Sequence, residues 1–319
     1  MGKIRFYQQR TFSEVVSTTF EFIRENWRVL LKYLVYIFLP VSLVQSLVVN
    51  ELFKVTGFSQ FGQMASQGYE DGDVATIIYA LLMLLVTGLG SLLFYSLVFA
   101  LIDIYNHRRD GLKDIVWSDF SSKMWSYFGK SVLLGLVIMF IFAIACVLMA
   151  LLAMATLFTL IVIIPAILAL LIGLTFTFPD YLYSGNPLPQ SFFHSTRLGF
   201  RCWLSILGIT ILTGLLSGVV QSITSMPWQL MLMVNAISAT GDSANTMSPT
   251  MSFISYLFGV LSSFGGYFAS TLIPIAVAYL YAHAKEKYDG VTVESDIDNF
   301  DNLGEREANR MPLPGDDLI

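Results

Sequence analysis

Charge is what this sequence has least of. Acidic and basic residues fill only 13% of its 319 positions, against roughly 25% in a soluble domain. None falls in the 49 residues from Ser131 to Pro179. A run of that kind cannot face water, so a sizeable soluble domain is excluded. Cysteine is nearly missing as well. Cys146 and Cys202 sit in or beside different apolar segments, which leaves no disulfide framework and no thiolate metal set. No glycine-rich phosphate loop is present, and the opening Met1-Gly2-Lys3-Ile4-Arg5-Phe6 lacks the apolar core of a cleavable signal. The first span is therefore expected to act as its own insertion signal.

What is abundant is apolar surface: 55% of the chain is hydrophobic and the mean hydropathy is +0.67. A crossing helix needs about 20 apolar residues, and the sequence offers spans near 29–49, 74–102, 131–155, 160–179, 203–222 and 253–281. The uncharged run from Ser131 would measure about 73 Å as one helix. It is read as a hairpin turning near Thr156–Thr159. Of the 18 Lys and Arg residues, all but Lys54 then fall on one side. Basic short loops stay cytoplasmic, so the expected fold is an all-α, multi-pass protein of a bacterial inner membrane with six transmembrane helices. Residues 1–285 form the membrane domain, with both ends of the chain cytoplasmic. Residues 286–319, rich in Asp and Glu, read as a disordered acidic tail.

Three segments on the basic side share a pattern. Thr11 and Glu14 have capping-box spacing, followed by Phe12, Val16, Phe20, Ile23 and Trp27. A second stripe is Trp117, Phe120, Met124, Tyr127 and Phe128. The third is Leu188, Phe192, Phe200 and Trp203, after an Asn186-Pro187 turn. Each reads as a short helix lying in the membrane interface, and each precedes two spans that share one proline: Pro40, Pro165 or Pro274. The fold is accordingly expected to be three units of interfacial helix plus transmembrane hairpin.

The chemical inventory is sparse. No ionisable residue falls at mid-bilayer, where one would mark function. Lys32, Asp103 and Asp180 lie at span ends, with Gln45 and Gln221 nearer the outer side. His107, His194 and His283 share the basic side and would need to meet a carboxylate such as Asp103 or Asp180 to hold a metal; three unrelated interfacial histidines are the favoured reading. Met226, Met231, Met233, Met247 and Met251 are read as apolar filler rather than a copper site. No catalytic, metal or cofactor residues are assigned. Arg24, Arg28, Lys123, Lys130, Arg197 and Arg201 are expected to contact anionic lipid headgroups. Gly214, Gly218, Gly265 and Gly266 are expected to let helices approach closely.

Phe12-Ser13-Glu14, Asn26-Trp27-Arg28 and Phe38-Leu39-Pro40, with Phe178-Pro179-Asp180 and Ser191 to Leu198 before Trp203, carry a resemblance. They resemble the membrane domain attached to some bacterial glycerophosphoryl diester phosphodiesterases, and related stand-alone inner-membrane proteins, over about residues 1–285. The phosphodiesterase barrel has no counterpart here, so the resemblance implies a fold and no catalytic residue. Two functions remain open. One is a non-enzymatic protein that binds membrane lipids or partner proteins and organises the envelope. The other is a transporter or channel for a small or lipidic substrate, its proline-bent spans moving. Neither implies a nucleic-acid partner, and the oligomeric state is left open.

Overall fold

In lipid a backbone must satisfy its own hydrogen bonds, which forces long apolar runs into helix. The computed structural model of the chain describes residues 4–67, 74–108, 110–153, 160–239 and 249–292, and no strand occurs among them. The helices are α1 (Phe12–Gln67), α2 (Val74–His107), α3 (Trp117–Ala153), α4 (Leu160–Thr175), α5 (Thr177–Tyr183), α6 (Leu188–Arg201), α7 (Trp203–Ala239), α8 (Pro249–Ser270) and α9 (Leu272–Asp289). Five stretches are long and apolar enough to cross a membrane: Phe12–Leu52, Val74–His107, Trp117–Val147, Trp203–Val234 and Thr250–Asp289. By length and composition the chain is a multi-pass membrane protein.

The expected fourth span does not form one long helix. α4 has 16 residues, about 24 Å of helix against a hydrocarbon core of about 30 Å. It stops at Thr175, and α5 starts after Phe176. Pro179 explains the break, because it has no N–H for the Thr175 carbonyl and its ring crowds that oxygen. Pro274 acts in the same way on α8, which ends four residues upstream at Ser270. Pro40, Pro165 and Pro227 stay inside α1, α4 and α7. A count of one proline per pair of spans thus overlooked Pro179 and Pro227.

The interfacial helices also differ from expectation. Only the third stands alone, as α6, which ends where the Cys202 N–H bonds the Leu198 and Gly199 carbonyls. The first two continue unbroken into α1 and α3, since neither segment contains a proline to stop the helix. The capping box is present: the Thr11 N–H donates to Glu14 Oε2 at 2.7 Å and the Glu14 N–H to Thr11 Oγ1 at 3.4 Å.

α1 packs on α2 and α8, α2 on α3, α7 on α8, and α4 on α6 and α7. α9 enters among α1, α2 and α7, buried from Pro274 to Ala282. It runs to Asp289 and closes on left-handed Gly290 (φ +64°), so the ordered chain extends past residue 286. The Thr156–Thr159 turn, Met247 and the tail from 293 lie outside the described residues. The hydrophobic core includes Phe22, Phe38, Phe99, Tyr105, Phe120, Phe176, Tyr279 and Tyr281, drawn from α1, α2, α3 and α9 and the α4–α5 junction.

Candidate functional site

Ending a helix on a carboxylate at the edge of an apolar core creates a demand for partners, because an unpaired buried charge is costly. α2 delivers Asp103 and α5 delivers Asp180 to one end of the bundle, 7% and 0% exposed. Tyrosines answer both. The Tyr127 hydroxyl donates to Asp103 Oδ2 at 2.6 Å, and the Tyr281 hydroxyl to Asp180 Oδ1 at 2.7 Å. A third pair completes the set, with the Tyr105 hydroxyl donating to Glu25 Oε2 at 2.9 Å.

Cations and imidazoles finish the two aspartates differently. Lys123 forms an ion pair with Asp103 Oδ2, and His107 Nδ1 lies 3.0 Å from Oδ1. Asp180 has no lysine. His194 Nδ1 lies 3.0 Å from its Oδ1, and His194 Nε2 lies 3.0 Å from Asp289 Oδ2, so one imidazole on α6 bridges α5 and α9. Asp180 Oδ2 has no hydrogen-bond partner among the described residues.

The segment 4–11 lies across this end of the bundle. Phe6 packs edge-on against Tyr7 and Tyr183 with centroids 5.0 and 5.5 Å apart, and tilts onto Tyr279. The Ile4 N–H donates to the Tyr105 hydroxyl at 3.2 Å. The Arg10 N–H donates to His283 Nδ1 at 2.8 Å, which fixes that nitrogen as unprotonated. The Arg10 side chain turns back to the Phe6 carbonyl at 2.9 Å and sits 5.4 Å from the Tyr279 ring centroid. Burial, reinforced by the charges of Asp103 and Asp180, pushes the Tyr7 phenol up to about 12. Between this segment and α2 lies a cavity of about 250 Å³ lined by Phe6, Tyr7, Asp103, Asn106, His107 and Tyr183.

The six basic residues singled out from sequence divide. Arg24, Arg28, Arg197 and Arg201 are exposed, with Arg28 over Trp27 at 5.5 Å and Arg201 over Tyr288 at 5.2 Å. Lys123 instead turns inward to Asp103. Lys130 lies 6.0 Å from the rings of both Tyr127 and Tyr181. The glycines divide too. A side chain at Gly265 would strike Thr224, and one at Gly266 would sit 2.7 Å from Gln221 Oε1, so α7 and α8 touch there. Gly214 and Gly218 meet nothing within 4 Å among the described residues. The three histidines do not converge, each having its own partners, and among the described residues no group of three or more His, Cys, Asp or Glu is placed to hold a metal ion.

Sequence reading missed the tyrosines and the docked segment. One signal was available: Asp103-Ile104-Tyr105-Asn106-His107 and Tyr279-Leu280-Tyr281-Ala282-His283 share their Tyr and His spacing. The first ends α2 and the second lies within α9, both beside the same cluster. No family model, curated protein or solved structure matches the chain.

Proposed function

We propose that this chain is a non-enzymatic protein of a bacterial inner membrane that binds lipid at its cytoplasmic face, with six spans and both ends inside. One observation carries the reading. Around the same end of the bundle, exposed Phe20, Trp27, Trp125, Phe193, Phe200 and Trp203 are interspersed with exposed Arg24, Arg28, Arg197 and Arg201. Aromatic rings with arginines between them suit the headgroup level of an anionic leaflet. Helix packing pairs α1 with α2 and α7 with α8, while α3 lies on α2 and α4 on α6 and α7, so two of the three proposed units have paired helices. The resemblance to the membrane domain of glycerophosphoryl diester phosphodiesterases fits a membrane-embedded role without the hydrolase.

Transport is the weaker reading. Two glutamines of the spans bind neighbouring helices: Gln45 Nε2 donates to Thr87 at 3.1 Å, the Tyr267 hydroxyl to Gln45 Oε1 at 3.4 Å, and Gln221 to the Ser262 carbonyl at 3.4 Å. The test is lipid retention by native mass spectrometry. Each arginine near the surface contributes about 1 kcal/mol, so single replacements leave retained phosphatidylglycerol nearly unchanged. Replacing Arg24, Arg28, Arg197 and Arg201 together by Gln strips most of it. Unchanged retention in the fourfold variant sinks the lipid-binding reading. Turnover of a glycerophosphodiester, lost on changing Asp103 or Asp180, sinks the non-enzymatic one.

A further inference from the structure

We infer that the cavity between segment 4–11 and the end of α2 binds a small ammonium group, with Lys123 as the internal cation that holds Asp103 until the ligand replaces it. Three of its six lining residues are aromatic, Phe6, Tyr7 and Tyr183. Phe6 stands at 74° to Tyr7 and 88° to Tyr183, so the rings form a corner. Aromatic walls of this kind attract a cation through the ring quadrupole, and recognition of quaternary ammonium is their recurrent use.

The fourth wall supplies the charge. Asp103 is 7% exposed and borders the cavity, so an anionic ligand is repelled and a cationic one attracted. Today that carboxylate holds the Lys123 ammonium. The lysine comes from α3 on a flexible stem, with its side chain 35% exposed, and can swing to water without moving a helix. One ammonium then replaces another, while the Tyr127 hydroxyl and His107 keep their places on the carboxylate. Size limits the guest. About 250 Å³ falls below the roughly 300–1,000 Å³ of pockets for drug-sized ligands, enough for an amine headgroup and too little for acyl chains. The His107 side chain, 74% exposed, marks the mouth.

The ammonium comes from a zwitterionic lipid headgroup or from a free amine, and the former deepens the lipid-binding reading above. The experiment uses the full chain in phosphatidylglycerol nanodiscs, titrated with choline chloride and with ethanolamine hydrochloride by calorimetry against matched sodium chloride. Saturable binding is expected. Lys123→Gln removes the competitor and tightens it about tenfold, and Tyr7→Leu removes a ring and weakens it about fivefold. Asp103→Asn weakens it at least about tenfold. Should Asp103→Asn fail to fold, Lys123→Gln decides alone, because the inference requires a gain there. No tightening in Lys123→Gln, or wild-type affinity in folded Asp103→Asn, overturns the site. Discs containing phosphatidylethanolamine separate the sources: a headgroup occupant weakens the ethanolamine titration, and a soluble one leaves it unchanged. These outcomes are independent of the arginine variants, so the cavity and the headgroup rim fail separately.

Discussion

Asp180 has one oxygen held by Tyr281 and His194 and the other without a partner among the described residues, inside a core that exposes none of it. Removing groups from this cluster one at a time has a predictable order. Tyr281→Phe deletes a donor while His194 still serves the carboxylate, and costs about 1 kcal/mol. Asp180→Ala strands the buried Tyr281 hydroxyl, at about 1–3 kcal/mol for the group left unsatisfied, while His194 keeps Asp289 and water. Thermal unfolding in detergent should rank Asp180→Ala below Tyr281→Phe; the reverse order would mean that Tyr281 is held by packing alone. Tyr7 gives a pH test. Its proton is held more tightly folded than unfolded, so its contribution is complete below the ordinary phenol value of 10.0 and disappears as pH rises through about 12. An ultraviolet difference titration of wild type against Tyr7→Phe should show a phenol midpoint near 12; a midpoint near 10.0 would place Tyr7 in water. Asp103 and Asp180 were legible from sequence as span-end carboxylates. Their tyrosines were not, because 15 tyrosines are spread along the chain and nothing local says which face inward.

Elements were legible where the cause is local. The Thr11 and Glu14 capping box was visible in four residues, and either alanine replacement should cost about 1 kcal/mol. The double replacement should cost less than the sum, since the two bonds form one unit; hydrogen exchange at residues 12–15 would read it. The stripe on α1 lies on the outer face of the helix. Phe12, Phe20 and Trp27 are half-exposed, while Val15, Thr19, Phe22, Asn26 and Leu30 form the buried face. Where the solvent is lipid, the more apolar face need not be the inner one. Small residues carry the same ambiguity, since spacing alone does not separate Gly265 from Gly214. Gly265→Ala drives a methyl group into Thr224 and should destabilise by about 1–3 kcal/mol. Gly214→Ala and Gly218→Ala meet nothing and should fall within about 0.5 kcal/mol of wild type. A large loss in either would reveal a neighbour beyond the described residues.

For the whole molecule, the one-sided distribution of Lys and Arg predicts a topology from counts alone, independent of packing. With Cys146 and Cys202 replaced, cysteines at Gly62 and Ala244 should react with an impermeant maleimide added to intact cells, and one at Gly111 should not. Labelling at Gly111 from outside overturns the six-span count. Packing was less legible. Chain order predicts that the arms of the 131–179 hairpin face each other, yet α3 lies on α2 while α4 lies on α6 and α7. Which neighbours a helix chooses depends on surfaces contributed by distant sequence.

The clasp between Arg10 and His283 joins residues 273 positions apart, which gives biosynthesis a fixed order of events. Segment 4–11 leaves the ribosome early, and its seat on Tyr105, Tyr183, Tyr279 and His283 is not complete until α9 has been made. At about 5–20 residues per second, it waits on the order of tens of seconds with Phe6 and Tyr7 unsheltered. During that interval the growing chain offers the translocon and quality-control proteases a segment with two unsheltered aromatic rings. Docking of that segment would therefore report to the cell that α9 has been made.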